Sequence, residues 1–164
     1  MGITLTLYLG EKLTKEKGTY ILFLQADKNT KAVVGYLDEI SLKKGFYLYI
    51  GSALGPGGLQ PRLVRHLAKK KKVHWHIDYL TVHPSFECIS YMEIFSLDKI
   101  ECSINDILKE DVLVGMDFSI IPNFGSSDCN CKSHLIYLEK IELKSLLLKI
   151  KKTISNYKTK LSIL

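Results

Sequence analysis

The sequence contains no uninterrupted apolar run near the ~18 residues that a bilayer-crossing helix requires, so no membrane partner is expected. Its opening stretch, residues 1–17, lacks a basic start followed by an apolar block and a small-residue cleavage site. No export signal is read there, and a cytoplasmic location is expected. Internal repeats and low-complexity blocks are absent, as is any helix-turn-helix or zinc finger that would act as an appended sequence reader. Cysteine is scarce. Cys88, Cys102, Cys129 and Cys131, in a chain without an export signal, read as free thiols or metal ligands before disulfides. Acidic residues are in deficit: 17 Asp and Glu against 23 Lys and Arg leave a formal net charge of +6. That surplus favours a polyanionic partner through steering and counterion release, yet it names no chemistry.

What is present suits one globular domain. Of the 164 residues, 46% are apolar and 24% charged, enough to bury a core without staples. Ile3, Leu5, Leu7 and Leu9 alternate with polar residues as a strand, and a charged connection runs to Gly18, which makes 1–17 an N-terminal strand and connection. A second strand is expected over 19–26, with Tyr20, Leu22 and Leu24 on one face and Ile21 and Phe23 on the other. Asp27 to Thr30 reads as a turn, Ala32 to Tyr36 as a weak strand and Gly45 to Ile50 as a strong one. Gly51 to Gly58 reads as a flexible loop able to bring backbone against a ligand.

A helix follows, with Pro61 in its first turn, where a missing N–H costs nothing. Leu59, Leu63 and Leu67 form its core stripe, while Arg62 and His66, four apart, share the neighbouring face. The run Lys69 to Lys72 is expected to close it. His74 to Val82 reads as either strand or short helix. Phe86 to Phe95 reads as a buried strand, Ile100 to Lys109 as a helix, Phe124 to Asp128 as loop and Ser133 to Leu138 as strand. From Ile141, Leu143, Leu147, Ile150, Ile154, Tyr157 and Leu161 recur in steps of four and three among lysines. Residues 139–164 are therefore expected to end in an amphipathic, Lys-rich helix packed on the domain, its near-heptad stripe leaving monomer and homodimer both open. The fold class is α/β in the broad sense (α+β), a small, mostly antiparallel sheet flanked by helices.

Between Gly18 and His66 the pattern carries chemistry. Gly18-Thr19-Tyr20 opens one strand and Tyr49-Ile50-Gly51 closes another, which can set two phenols side by side, and the next helix brings Arg62 and His66 to the same edge. Arginine is rarely buried unpaired, so this is not how a core is usually built. The group suits phosphodiester cleavage: an arginine fork stabilises charge on non-bridging oxygens while a phenol or imidazole takes a proton. Singly, Tyr20 and Tyr49 would be half-buried strand tyrosines, Arg62 a surface charge and His66 a satisfied helix histidine; their joint placement argues otherwise.

These residues, in this order and spacing, resemble the GIY-YIG nucleases. The resemblance extends over residues 18–138 to the Uri-type endonuclease branch, through Tyr49-Ile50-Gly51-Ser52-Ala53-Leu54-Gly55, His74-Trp75-His76-Ile77-Asp78-Tyr79-Leu80, Glu101-Cys102 and Phe124-Gly125-Ser126-Ser127-Asp128-Cys129 with Cys131, Ser133 and His134. It implies a nuclease domain in which Tyr20 helps activate the attacking water, Tyr49 positions water or phosphate, Arg62 stabilises the phosphorane and His66 orients or deprotonates Tyr20. It also implies that Glu101 holds a single divalent cation, Mg²⁺ or Mn²⁺, with Glu93 and Glu87 as the other candidates. Thr19 stands where the motif has isoleucine, on the side expected to point away from Tyr20. Many members of that family also place an asparagine after the glutamate; the pattern does not assign it here, Asn105 and Asn123 being the residues considered.

The remaining motifs are expected around that centre. Ser52, Lys69, Lys70, Lys71, Lys72, His74 and His76 are candidates for holding nucleic acid, and Asp78, Ser126, Asp128, Cys129, Cys131 and His134 for supporting the site. Cys129-x-Cys131 with His134 has donors that zinc accepts, but the tight spacing is no standard finger and no second pair is evident, so zinc is not expected. The expected function is metal-dependent endonuclease cleavage of DNA (structured, damaged or single-stranded) ahead of RNA. The alternatives are a non-catalytic nucleic-acid-binding module on the same fold, which has no need of Glu101, and a zinc-stabilised interaction domain.

Overall fold

The computed structural model describes residues 15–164, so the strand expected over Ile3 to Leu9 lies outside the described residues. β1 (Gly18–Ala26) is followed by a small ribbon, β2 (Thr30–Val33) and β3 (Glu39–Leu42), joined through a 3₁₀ turn at Gly35–Leu37. β4 (Gly45–Ala53), α1 (Leu59–Leu67), α2 (His76–Thr81) and β5 (Phe86–Phe95) come next. α3 (Glu101–Ile107) runs into a wide π turn at Leu108–Val112, and β6 (Phe118–Ile120), β7 (Leu135–Leu138), α4 (Leu143–Thr153) and β8 (Thr159–Ile163) complete the order. Six strands form one sheet in the order β6-β7-β4-β1-β5-β8, and every pairing in it is antiparallel. The expected α+β plan is therefore the observed one.

The two faces of β1 explain the layering. Tyr20, Leu22 and Leu24 join one apolar cluster with Leu59 and Leu63 of α1 and Ile77 and Leu80 of α2. Ile21 and Phe23 point into a second cluster with Ile104 of α3 and Leu146, Leu147 and Ile150 of α4. Such two-sided burial, at ~1.5–3 kcal/mol per large apolar side chain, makes β1 and β4 the central strands. Among the described residues no helix is long and apolar enough to cross a membrane.

Several sequence expectations are corrected. β4 continues three residues past Ile50, because Gly51 to Ala53 pair with Tyr20 to Gly18, so the loop narrows to 54–58. The weak strand starts two residues early and pairs with β3, which the pattern did not reveal. The lysine run does not close α1, which stops at Leu67. The C-terminal helix ends at Thr153: Leu147, Ile150 and Ile154 are buried as expected, but Tyr157 lies in a turn and Leu161 in β8. β5 would otherwise leave its outer edge unpaired, and residues 159–163 supply the missing partner.

Candidate active site

The site forms at the start of β1 and the end of β4. Tyr20 lies directly across from Gly51, and a methyl group there would fall on the Tyr20 ring and hydroxyl. Glycine is thus what lets the phenol lie flat across its neighbouring strand. Gly125, at φ 70°, lets Tyr49 approach in the same way, since a Cβ would sit 2.8 Å from the Tyr49 ring. The two phenol rings are 6.3 Å apart. Thr19 belongs to the opposite face, as expected from alternation.

α1 supplies the partner of Tyr20. Its Leu59–Leu63 stripe anchors one side on the sheet and turns His66 inward, where it is 1% exposed. The Tyr20 hydroxyl lies 2.8 Å from His66 Nε2, and His66 Nδ1 lies 3.3 Å from Asp78 Oδ1. An ionised carboxylate only accepts, so Nδ1 carries the proton, Nε2 accepts, and Tyr20 donates. Asp78 is the most heavily bonded group in the site. Its Oδ2 accepts from Arg65 at 2.8 Å and from the backbone N–H groups of His74 and Trp75 at 2.9 and 3.1 Å. Those last two bonds cap the start of α2, so one carboxylate fixes both the helix entry and the imidazole.

The electrostatics follow from this packing. Burial would raise the Asp78 carboxyl, but the hydrogen bonds from His66, the Trp75 and His74 backbone and Arg65 outweigh it and hold it well below the usual carboxylate range. Burial lowers His66, with Asp78 opposing, so the imidazole rests neutral. Burial raises Tyr20, and Tyr49 adds to this while Arg62 opposes it. Tyr49 is raised by burial as well, again against Arg62. Both phenols rest protonated.

A cleft of about 440 Å³ opens over this group, lined by Tyr20, Tyr49, Ser52, Arg62, Trp75 and Glu101 among others. The Arg62 guanidinium stacks 4.1 Å above the Trp75 ring and that of Arg65 4.8 Å from it. Glu101 arrives from α3 in the other layer. It is 4% exposed, its Oε2 has no hydrogen-bond partner, and Lys99 lies 3.5 Å from Oε1. Of the other carboxylates considered, Glu93 is buried and Glu87 exposed, and neither lines the cleft. Asn105, one turn beyond Glu101, is buried and donates to the Ser133 carbonyl at 2.9 Å, whereas Asn123 is exposed in a left-handed turn. A larger cavity of about 680 Å³ at the opposite end of β1 and β4, between Lys43, Lys44 and Tyr137, gathers no comparable group.

The outer residues divide. His74, His76, Asp128 and His134 line the cleft beside Ser52. His76 Nδ1 accepts from the Gly125 N–H at 3.0 Å, and buried Ser126 offers its carbonyl to Cys129. Asp128 pairs with Lys99 at 3.1 Å. The lysine run stands outside the cleft lining. Lys71 is turned inward, donating to the Arg65 and His66 carbonyls and Thr81, and Lys69 bonds the Phe86 carbonyl; Lys70 and Lys72 are exposed. Sequence reasoning missed Arg65 and the stacking role of Trp75, and it expected Lys71 to face nucleic acid where it faces inward; the recurrence of Arg62 and Arg65 three apart on α1 was the one signal available.

A match covers most of the chain: residues 19–156 fit the family described as "Domain of unknown function DUF123". No curated protein and no solved structure matches.

Proposed function

The chain belongs to the DUF123 family, and we propose that it is a metal-dependent endonuclease of the GIY-YIG type, hydrolysing phosphodiester bonds in DNA. The observation that carries this is the buried Tyr20–His66–Asp78 relay, which opens into a cleft shared with Arg62 and the unpartnered oxygen of Glu101.

The relay has a direction. Tyr20 donates to a neutral His66 whose other nitrogen is held by an ionised Asp78, so the phenol can pass its proton inward while taking one from a water in the cleft. Burial keeps the resting phenol protonated, which confines the transfer to the moment a water is engaged. Arg62, backed by Trp75, presents its fork to the charge that develops on non-bridging oxygens; such a donor is worth roughly 10²–10³ in rate. Tyr49 positions the water or the scissile phosphate. Ser52, His74 and His76, which line the cleft, are the proposed contacts to the flanking backbone, with exposed Lys70 and Lys72 as outer contacts.

Glu101 fits a hard divalent cation. Its Oε2 is buried without a partner, and one carboxylate completed by phosphate oxygens and waters is a usual Mg²⁺ site. When bound, Mg²⁺ or Mn²⁺ would polarise the phosphate and acidify the attacking water.

The test is cleavage of single-stranded, duplex and flap DNA and of RNA, with and without Mg²⁺ or Mn²⁺. Tyr20→Phe, Arg62→Ala and Glu101→Ala should each abolish cation-dependent cleavage in a folded protein. Wild-type rates in all three would overturn the site, and salt-sensitive binding without turnover would make the domain a binding module.

A further inference from the structure

A second constellation adjoins the cleft and shares His134 with its lining. Cys102 on the first turn of α3 and Cys129, Cys131 and His134 in the loop before β7 converge, all four donor atoms lying within 4.8 Å of one another. The His134 Nε2 is 3.4 Å from the Cys129 sulfur and 3.7 Å from that of Cys102. All three cysteines are free thiols.

We infer that these four residues form a structural zinc site of the Cys₃His type. The donor set carries the first half of the argument. Thiolate and imidazole are the ligands that select Zn²⁺ over hard cations, and four of them without an open position is the composition of a structural centre. Distances carry the second. With Zn–S of ~2.3 Å and Zn–N of ~2.0–2.1 Å, the edges of a tetrahedral site come to roughly 3.5–3.8 Å. The two sulfur–nitrogen separations fall near that range. His134 is 3% exposed, and a hydrogen bond with the Ile50 backbone acts on its ring, the outer partner that a metal-bound histidine ordinarily has.

Spacing alone argued against this, because Cys129-x-Cys131 with His134 supplies three donors in a tight loop. The fourth comes from 27 residues upstream, where α3 sets Cys102 beside the loop. The metal would clip that loop to α3. Glu101 precedes Cys102 and Asp128 precedes Cys129, and both carboxylates line the cleft, so the clip would fix the cleft rim. The inference does not depend on the nuclease proposal: zinc without cleavage, or cleavage without zinc, separates the two.

The experiment is metal analysis of the purified full chain, followed by cobalt titration of the metal-free protein. The expected results are one zinc per chain and, with Co²⁺, thiolate-to-metal charge transfer plus the visible bands of tetrahedral cobalt, saturating at one equivalent. C102S and C129S should lose both, and C88S, on β5 away from the cluster, should keep both. Because those variants could fail to fold, the cobalt titration of the unsubstituted chain decides. A weak octahedral spectrum, an iron–sulfur chromophore, or a disulfide among the three thiols in native protein would each overturn the zinc site.

Discussion

Asp78→Asn is the most searching perturbation of the relay, because it leaves shape almost unchanged and alters only charge and one acceptor. Placed with its oxygen at the Oδ2 position, the asparagine still accepts from Arg65 and from the backbone of His74 and Trp75. Its amide nitrogen then replaces Oδ1, facing His66 Nδ1 at 3.3 Å and the Lys71 ammonium at 3.4 Å. Lys71 is 5% exposed and loses its counter-charge, while Arg65, at 30%, can turn toward water. Removing one partner of a buried pair costs about 3–5 kcal/mol. Lys71 retains three oxygen acceptors, which places the expectation near the lower bound, about 3 kcal/mol. At roughly 2–4 °C per kcal/mol for a domain of this size, melting should fall by about 6–12 °C.

The chemical effect should be larger. His66 can satisfy the amide only by accepting at Nδ1, which moves its proton to Nε2 and forces Tyr20 to accept where it donated. A wrong tautomer in a Ser-His-Asp triad costs roughly 10⁴ in kcat, and a loss of about 10³–10⁴ in cleavage is expected here. Urea denaturation, thermal melting, cleavage kinetics and the nitrogen shifts of His66 measure the stability, the melting point, the rate and the tautomer. Acid supplies a further check. The Asp78 carboxyl is held below its ordinary 3.8, so it contributes stability that is present above that pH and is lost as pH falls through the folded value. The asparagine variant should lack that slope. Stability within about 1 kcal/mol of the parent together with unchanged cleavage would refute the relay.

Glu101→Gln removes a buried charge with an unpartnered oxygen, so stability should hold or rise by about 1 kcal/mol in urea while cation-dependent cleavage drops at least ~100-fold; a large loss of stability would make Glu101 structural. Gly51→Ala drives a methyl into the Tyr20 phenol and should cost about 1–3 kcal/mol along with cleavage, whereas Gly55→Ala, where a methyl meets nothing, should leave stability unchanged. The pH–rate profile should show an acid limb below 6.5, because the folded His66 is harder to protonate than an ordinary histidine and its protonation removes the acceptor for Tyr20. Stability should fall over the same interval, since the unfolded chain takes up that proton first; a limb above neutrality would assign the proton acceptor elsewhere.

The sequence by itself determined the strands whose pattern is local and strong. Alternation over 19–26 and 45–50, and the apolar stripe at Leu59, Leu63 and Leu67, place Tyr20, Tyr49, Arg62 and His66 at one edge, because a strand's period of two and a helix's of 3.6 fix which side chains share a face. Helix against strand over 74–82 stayed undecided. The capping of α2 by Asp78 resolves it: the local His74 and Trp75 N–H groups bind a carboxylate that Arg65 and His66 of α1 hold in place from across the fold. Tertiary structure alone decided the rest. β8 forms because β5 offers an open edge, against a stripe that reads as helix to Leu161. Lys71 turns inward because carbonyls at the end of α1 and the Asp78 charge lie within its reach. Cys102 meets Cys129, Cys131 and His134 only because α3 packs against the loop before β7, a proximity that no spacing along the chain encodes.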